Sequence, residues 1–274
     1  MNDGAIIITG PSSCGKGEVS KALIETLAIP VERWISMGNI LRDVSARAKS
    51  DVFVAELEER HAISDATPIL TTDDANDGLR SKIKRQRAGL EAMLASRSGP
   101  RKRSDWSSAT ALDWLEYCTL HGLLVPNRWT QAFIADHISE VSKLGAGPLI
   151  FDGYPRTPVA AEHLLDALES ARIPVWKVLH LSISKQEMLH RAGLRKRADD
   201  DPAALLARYE FYVDSVQPSV DYMKDRLGTE LVALIDAHQP AYDLADGVRV
   251  FALKRSIENV VLSALRALAV SPSA

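Results

Sequence analysis

Cysteine, aromatic residues and long apolar runs are all scarce in this chain. Its 274 residues include 6% aromatics and two cysteines, Cys14 and Cys118, too few for a disulfide framework or a zinc site. No apolar run approaches the ~20 residues of a membrane span, and the first residues carry no basic segment with a cleavage site. We therefore expect a cytoplasmic protein in a reducing compartment, without membrane contact.

Excess charge of one sign is missing too. The formal net charge is -3, from 33 basic and 36 acidic residues, which gives no general attraction to nucleic acid or to an anionic membrane. No internal repeat of solenoid period is present. We expect a monomer that binds small molecules, and we do not expect a nucleic-acid partner.

Short apolar segments alternate with segments of helical periodicity. The first, Ala5–Thr9, is β-branched and predicts a buried strand. Further strands are predicted at 31–35, 148–151, 175–181, 231–235 and 248–251. Helices are predicted at 18–27, 36–48, 112–120, 129–141, 159–171, 185–193, 202–226 and 257–268. This alternation predicts an α/β fold with a parallel sheet of about five strands, flanked by helices.

The segment after the first strand has the spacing of a phosphate-binding loop, with Gly10 followed by Gly15 and Lys16. Glycines let backbone N–H groups turn towards phosphate oxygens, and the next helix presents its positive end. Lys16 would neutralise the transferring phosphate of ATP. The residues of this loop expected to contact ATP are Gly10, Ser13, Cys14, Gly15, Lys16, Gly17 and Glu18.

Cys14 has two interpretations. A helix N-terminus lowers the pKa of a thiol, which would suit an oxidation-sensitive switch. A small residue that fills a tight loop is the favoured alternative.

A second motif follows a later apolar strand and reads Asp152-Gly-Tyr-Pro-Arg156. The strand delivers Asp152 to its carboxyl end, where ligands bind in open α/β sheets. Asp152 could hold a magnesium ion through water. Gly153 allows a ligand to approach closely, and Arg156 offers a bidentate fork to phosphate. We predict that Lys16 and Asp152 lie at neighbouring strand ends.

These two motifs resemble the nucleoside monophosphate kinases, in particular the adenylate kinase and UMP/CMP kinase family. Residues 35–42 and 122–126 resemble the acceptor-side segments of that family, and residues 191–208 resemble its lid. The resemblance implies a P-loop NTPase fold, Mg²⁺, and ATP as phosphoryl donor. Arg191 and Arg195 would join the ATP site, and Lys16, Arg156, Arg195, Arg197 and Arg208 would be catalytic. The implied acceptor-binding residues are Met37, Arg42, Val125, Gly153, Arg156, Ala160, Arg197 and Arg208.

Four positions depart from the family pattern. Glu18 replaces a threonine that helps to hold magnesium, Asn39 replaces an acid, and Met37 replaces an acceptor-side threonine. Ala160 stands where adenylate kinases carry a glutamine that reads adenine. A lost buried hydrogen bond costs about 1–3 kcal/mol, so the base of the acceptor is left open.

The segment between Arg42 and Gly122 is longer than in the family. It carries one basic cluster at 80–87 and another at 101–103, which we interpret as solvated faces, with polyphosphate or nucleic-acid binding as the alternative. The insertion could also enlarge the acceptor pocket or contact a protein. The expected organisation is core at 1–46, 122–190 and 201–274, insertion at 47–121 and a short lid at 191–200.

Two functions compete. One is an ATP-dependent kinase that phosphorylates a nucleoside monophosphate, and it is favoured by Lys16, Asp152 and the arginines. The other is a nucleotide-sensing module that kept the fold and lost fast chemistry, suggested by Glu18, Asn39 and Ala160, in which the basic insertion would contact a partner. A non-nucleotide acceptor is a weaker third possibility, since a fold alone does not fix the substrate.

Overall fold

A computed structural model describes residues 3–72, 76–103, 105–195, 202–245 and 248–270. For Pro100, Arg195, residues 202–204 and Ala245 it describes the backbone alone. The chain forms two compact units, one made of Met1–Met37 with Ile134–Ala274 and the other of Gly38–Phe133. The predicted lid residue Arg197 lies outside the described residues.

A five-stranded parallel sheet is the centre of the first unit, as the alternating pattern predicted. Its strands are β1 Ala5–Thr9, β2 Trp34–Ser36, β3 Leu149–Asp152, β4 Val175–Ser182 and β5 Val232–Asp236. Their spatial order in the sheet is β2-β3-β1-β4-β5. All five residues of β1 are buried, because this strand pairs with β3 on one side and β4 on the other.

Helices flank the sheet. The described helices are α1 Lys16–Thr26, α2 Met37–Arg47, α3 Asp51–His61, α4 Asp77–Arg85, α5 Arg87–Ser96, α6 Ala111–His121, α7 Asn127–Ser142, α8 Pro158–Ser170, α9 Lys185–Arg195, α10 Pro202–Phe211, α11 Gln217–Leu227 and α12 Leu253–Ala267. Within the first unit α1 packs against α12, and α8 packs against α11. The apolar faces of α1 and α12 form one buried cluster with β1, β4 and β5.

Two predicted elements differ in the structure. Residues 31–33 form a 3-10 turn, so β2 begins only at Trp34. The single helix predicted over 202–226 is interrupted by a π-helical segment, Tyr212–Val216, between α10 and α11. Pro218 has no N–H and cannot donate to the carbonyl of Asp214 one turn earlier, so a regular helix cannot continue through this point.

The strand predicted at 248–251 exists but is not part of the parallel sheet. It is β7 Val248–Phe251, and it pairs antiparallel with β6 Tyr242–Ala245, a strand that the sequence did not reveal. Local composition indicated an extended segment. It could not indicate the partner strand, because strand pairing depends on where the preceding loop places the segment in space.

The second unit corrects the interpretation of one basic cluster. Arg101 and Arg103 are largely buried, and both form ion pairs with Asp65. Arg103 also lies 3.4 Å from Asp113, whose side chain is fully buried. These arginines are therefore internal structural cations and not a solvated face. The cluster on α4 is exposed, as expected.

Candidate active site

The loop between β1 and α1 has the backbone geometry that its glycines predicted. Gly10 has a φ of 142°, and a Cβ there would lie 2.3 Å from the carbonyl oxygen of Leu181 on β4. Gly15 caps α1 in the left-handed conformation, with a φ of 93°. Because glycine has no side chain, the first N–H groups of α1 carry no side-chain cap at this position. The positive end of α1 thus opens into the loop.

Lys16 folds back across this loop. Its ammonium donates to the carbonyl oxygens of Gly10 at 2.9 Å and Pro11 at 2.7 Å. The hydroxyl oxygen of Ser13 is buried and has no hydrogen-bond partner among the described residues. A cation, an orphaned hydroxyl and a helix N-terminus converge on one loop, and this donor set fits an anionic phosphate chain.

Cys14 lies inside the loop and is 2% exposed. Its side chain belongs to the buried cluster beneath α1 and contacts the ammonium of Lys16 at 3.7 Å. This burial supports the interpretation that Cys14 is a small residue filling the tight loop, and it argues against a reactive surface thiol.

Glu18, the acidic departure from the family pattern, points into solvent. Its carboxylate lies 3.6 Å from the ammonium of Lys21, one turn along α1, and both side chains are more than half exposed. A carboxylate that is exposed to solvent and paired with a lysine repels a phosphate in the loop less than a carboxylate that faces the phosphate.

Asp152 and the phosphate loop lie at the same edge of the sheet. Asp152 ends β3 and is in register with Ile8 of β1 on one side and Ser36 of β2 on the other. Its side chain is 8% exposed, and one carboxylate oxygen lies 3.9 Å from the position of a Cβ on Gly17. The prediction that Lys16 and Asp152 follow neighbouring strands is confirmed.

Arg156 is drawn back towards this edge. Its Nε donates to the carbonyl oxygen of Gly153 at 2.8 Å. Burial lowers the pKa of the guanidinium, and the negative charge of Asp152 opposes that shift. Arginine stays protonated at neutral pH in either case, so a cation and a carboxylate influence each other electrostatically near the end of β3.

The approach to β3 is tied down by Arg33, which sequence reasoning missed. This arginine is 5% exposed, and its guanidinium donates to four consecutive carbonyl oxygens, those of residues 144–147. The closest contacts are 2.8 Å to Gly145 and 2.9 Å to Gly147. Only three-dimensional proximity marks this residue, since nothing in the local sequence points to the 144–147 segment.

The arginines of the predicted lid are described only in part. Arg191 donates to Glu187 at 2.6 Å and to the carbonyl oxygen of Ala237 at 2.9 Å. Burial alone would raise the pKa of Glu187, but hydrogen bonds and charge from Arg191 and His238 lower it. Arg195 ends α9, and Arg208 lies partly buried on α10.

The predicted acceptor-side residues fall in both units. In the first unit Met37 and Ala160 are each 2% exposed, and the Ala160 N–H donates to the hydroxyl of Thr157, which caps α8. In the second unit Arg42 donates to Asn39 at 2.6 Å, and Val125 is buried. Asn39 therefore serves as a hydrogen-bond partner of Arg42.

Two further pairs escaped the sequence reading. Tyr154 lies within the second motif and is buried, and its hydroxyl lies 3.2 Å from Nδ1 of His163 on α8. His180 on β4 pairs with Tyr212 at 2.8 Å. The sequence around a lone histidine does not show whether its ring is buried and hydrogen-bonded or exposed to solvent.

No cluster of three or more metal-ligating side chains occurs within the described ranges. No helix in the same ranges is long and apolar enough to cross a membrane.

Comparison with known proteins points in the same direction. The adenylate kinase of Mycolicibacterium paratuberculosis is 36% identical over 108 residues, which is 39% of this chain and 59% of that protein. The adenylate kinase of Mycolicibacterium smegmatis is 26% identical over 224 residues, 82% of this chain and 88% of that protein. This chain is thus similar to adenylate kinases.

The resemblance to the nucleoside monophosphate kinase family is thereby confirmed, and the five-stranded sheet agrees with a P-loop kinase fold. A third relative, the adenylate kinase of Mycobacterium bovis, is 33% identical over 108 residues and is likewise matched over 59% of its length. The chain thus spans less than two thirds of the relatives that it matches at higher identity. No protein-family model matches it.

Proposed function

We propose that this protein is a nucleoside monophosphate kinase that moves the γ-phosphoryl group of ATP to the phosphate of a nucleoside monophosphate. The observation that carries the proposal is the phosphate loop, where Lys16 and the open end of α1 lie beside the strand that ends in Asp152. The names of the related adenylate kinases support the same reaction class.

In this reaction a phosphate oxygen of the acceptor forms a bond to the γ-phosphorus as the bond between that phosphorus and the departing ADP oxygen breaks. The protein contributes little covalent chemistry to such a transfer and acts by alignment and charge neutralisation. The loop N–H groups and the hydroxyl of Ser13 would hold phosphate oxygens, and Lys16 would exchange its two carbonyl partners for them. Arg156, Arg195, Arg197 and Arg208 would surround the transferring group.

Asp152 would hold magnesium through water, and the ion would add positive charge beside the phosphates. The buried carboxylate has the position for this, since it lies within reach of Gly17 in the phosphate loop. Glu18 is directed away and paired with Lys21, so we assign it no metal role.

The acceptor base is not fixed by Ala160. This residue is buried and cannot offer the amide that reads adenine in related kinases, so the substrate panel must include AMP, GMP, CMP, UMP and deoxynucleotides. The test is diphosphate formation from each acceptor with Mg²⁺ and ATP, followed by chromatography.

Lys16 and Lys21 form a matched pair for this assay, because both lie on α1 and only Lys16 contacts the loop carbonyls. Lys16→Met should lower kcat/KM by about 100-fold or more, since a preorganised charge on the transferring group is lost. Lys21→Met should leave it nearly unchanged. Equal activities of the two variants would refute the role of Lys16.

The competing function is a nucleotide sensor, and Asn39 favours it, because it replaces an acid and is engaged by Arg42. Tight ATP binding by the wild type without diphosphate from any acceptor would support the sensor and overturn the kinase.

A further inference from the structure

A buried polar pair beside the phosphate loop is not used by the chemistry described above. His180 on β4 is in register with Thr9, the last residue of β1 before Gly10. The histidine is 7% exposed, and its Nε2 lies 2.8 Å from the hydroxyl oxygen of Tyr212. A polar bond of this kind within a sheet core needs a reason, because an apolar pair would pack there without the cost of desolvation.

The surroundings of the pair place it against the loop. Burial lowers the pKa of His180 to about 4, and the positive charges of Lys224 and Lys16 act in the same direction, with Asp221 opposing. Burial also raises the pKa of Tyr212, and Cys14 of the loop contributes to that shift. At neutral pH the pair is therefore an uncharged imidazole bonded to a phenol, and both groups feel the residues of the phosphate loop.

Tyr212 occupies a special point of the backbone. It is the first residue of the π-helical segment that separates α10 from α11, and such segments occur often at functional sites. Arg208 lies four residues earlier on α10, and side chains four residues apart share one face of a helix. An anchor at Tyr212 therefore sets the rotation and the height at which α10 presents Arg208.

We propose that His180 and Tyr212 are positioning residues that hold α10, and with it Arg208, in register with the phosphate loop for phosphoryl transfer. The inference rests on the proposed kinase function. Neither residue touches the reacting atoms. Their bond joins the strand that supports the loop to the helix that carries a candidate transfer arginine.

Tyr212→Phe is the first test, because it keeps the ring and removes the hydroxyl. We expect kcat to fall about tenfold or more, since small displacements of a catalytic group are costly, while the KM for ATP changes little. Tyr209→Phe is the matched control, three residues earlier on α10. Its ring lies 6.2 Å from that of Tyr212, and its hydroxyl takes no part in the bond between His180 and Tyr212. The control should leave kcat unchanged.

A double-mutant cycle separates positioning from a general loss of stability. If the hydroxyl acts through Arg208, Tyr212→Phe should have little further effect on kcat in an Arg208→Ala background. An equal loss of kcat in both backgrounds overturns the proposal, and so does a lower melting temperature with an unchanged kcat.

If Tyr212→Phe does not fold, variants of His180 provide a second test. His180→Gln keeps an amide near the place of Nε2 and should retain most of kcat, whereas His180→Leu should lose it. Equal kcat values of these two variants would overturn the positioning role while the kinase function stands. A wild type that binds ATP and forms no product with any acceptor would overturn both.

Discussion

Replacing Gly10 by alanine would place a methyl carbon 2.3 Å from the carbonyl oxygen of Leu181, a fully buried residue of β4. No side-chain rotation relieves this contact, because the methyl carbon is bonded directly to Cα and the carbonyl oxygen is itself a backbone atom. The same carbon would lie 3.1 Å from the sulfur of Cys14. Gly15 offers the matched control, since a Cβ there meets no atom within 4 Å although its φ is also positive.

The magnitudes follow from these two geometries. An L residue at the positive φ of Gly10 costs about 1–3 kcal/mol, and forcing the end of β4 away adds about 1–3 kcal/mol of overpacking. At Gly15 only the left-handed backbone is penalised, by about 1–2 kcal/mol. We expect Gly10→Ala to lower the free energy of unfolding by about 2 kcal/mol more than Gly15→Ala does.

Urea denaturation of the nucleotide-free protein measures this difference, because bound nucleotide would stabilise each variant by a different amount. Equal destabilisation by the two substitutions would show that the phosphate loop does not rest on β4 at Gly10. That result would remove the structural basis on which Lys16 is aligned. Loss of ATP affinity in Gly10→Ala at full stability would contradict the same reasoning.

Three further predictions concern stability. Arg33→Lys should lower the free energy of unfolding by about 2 kcal/mol, because one ammonium cannot replace a guanidinium bonded to the carbonyls of 144–147. Gly89→Ala should cost about 1 kcal/mol, because the contact of its methyl carbon with the hydroxyl of Tyr117 at 2.3 Å, an overpacking of about 1–3 kcal/mol, is offset by about 1 kcal/mol of helix propensity gained within α5. Between pH 7 and 5 the unfolded chain protonates His180 and the folded protein, with a pKa of about 4, does not. Lowering the pH from 7 to 5 should therefore reduce the free energy of unfolding by about 2 kcal/mol through this residue.

Each of these has its own control, read by urea denaturation. Arg226→Lys changes an exposed arginine that pairs with Asp166 at 3.3 Å, and should cost little; an equal loss in both arginine variants would contradict the account of Arg33. Tyr117→Phe should recover part of the loss in Gly89→Ala, and failure to recover would argue against the steric cause. His180→Gln should show a weaker fall between pH 7 and 5 than the wild type, and identical pH dependence would rule His180 out as its source.

The α/β alternation, the central buried strand and the phosphate loop can all be predicted from the amino-acid sequence. These depend on local rules. A short β-branched run predicts a strand, a glycine pattern predicts the loop conformation, and parallel strands bring Lys16 and Asp152 to one edge. The same local logic found the helices that flank the sheet, with boundaries displaced by a few residues.

The groups that each buried polar side chain contacts depend on the tertiary structure. Arg33 reaches the carbonyl oxygens of Gly145 and Gly147, and Arg101 joins an ion network with Asp65. The bond between His180 and Tyr212 joins residues 32 positions apart. Such contacts carry no periodic or local signature, because they depend on how distant elements pack, and burial fixes their partners and their protonation.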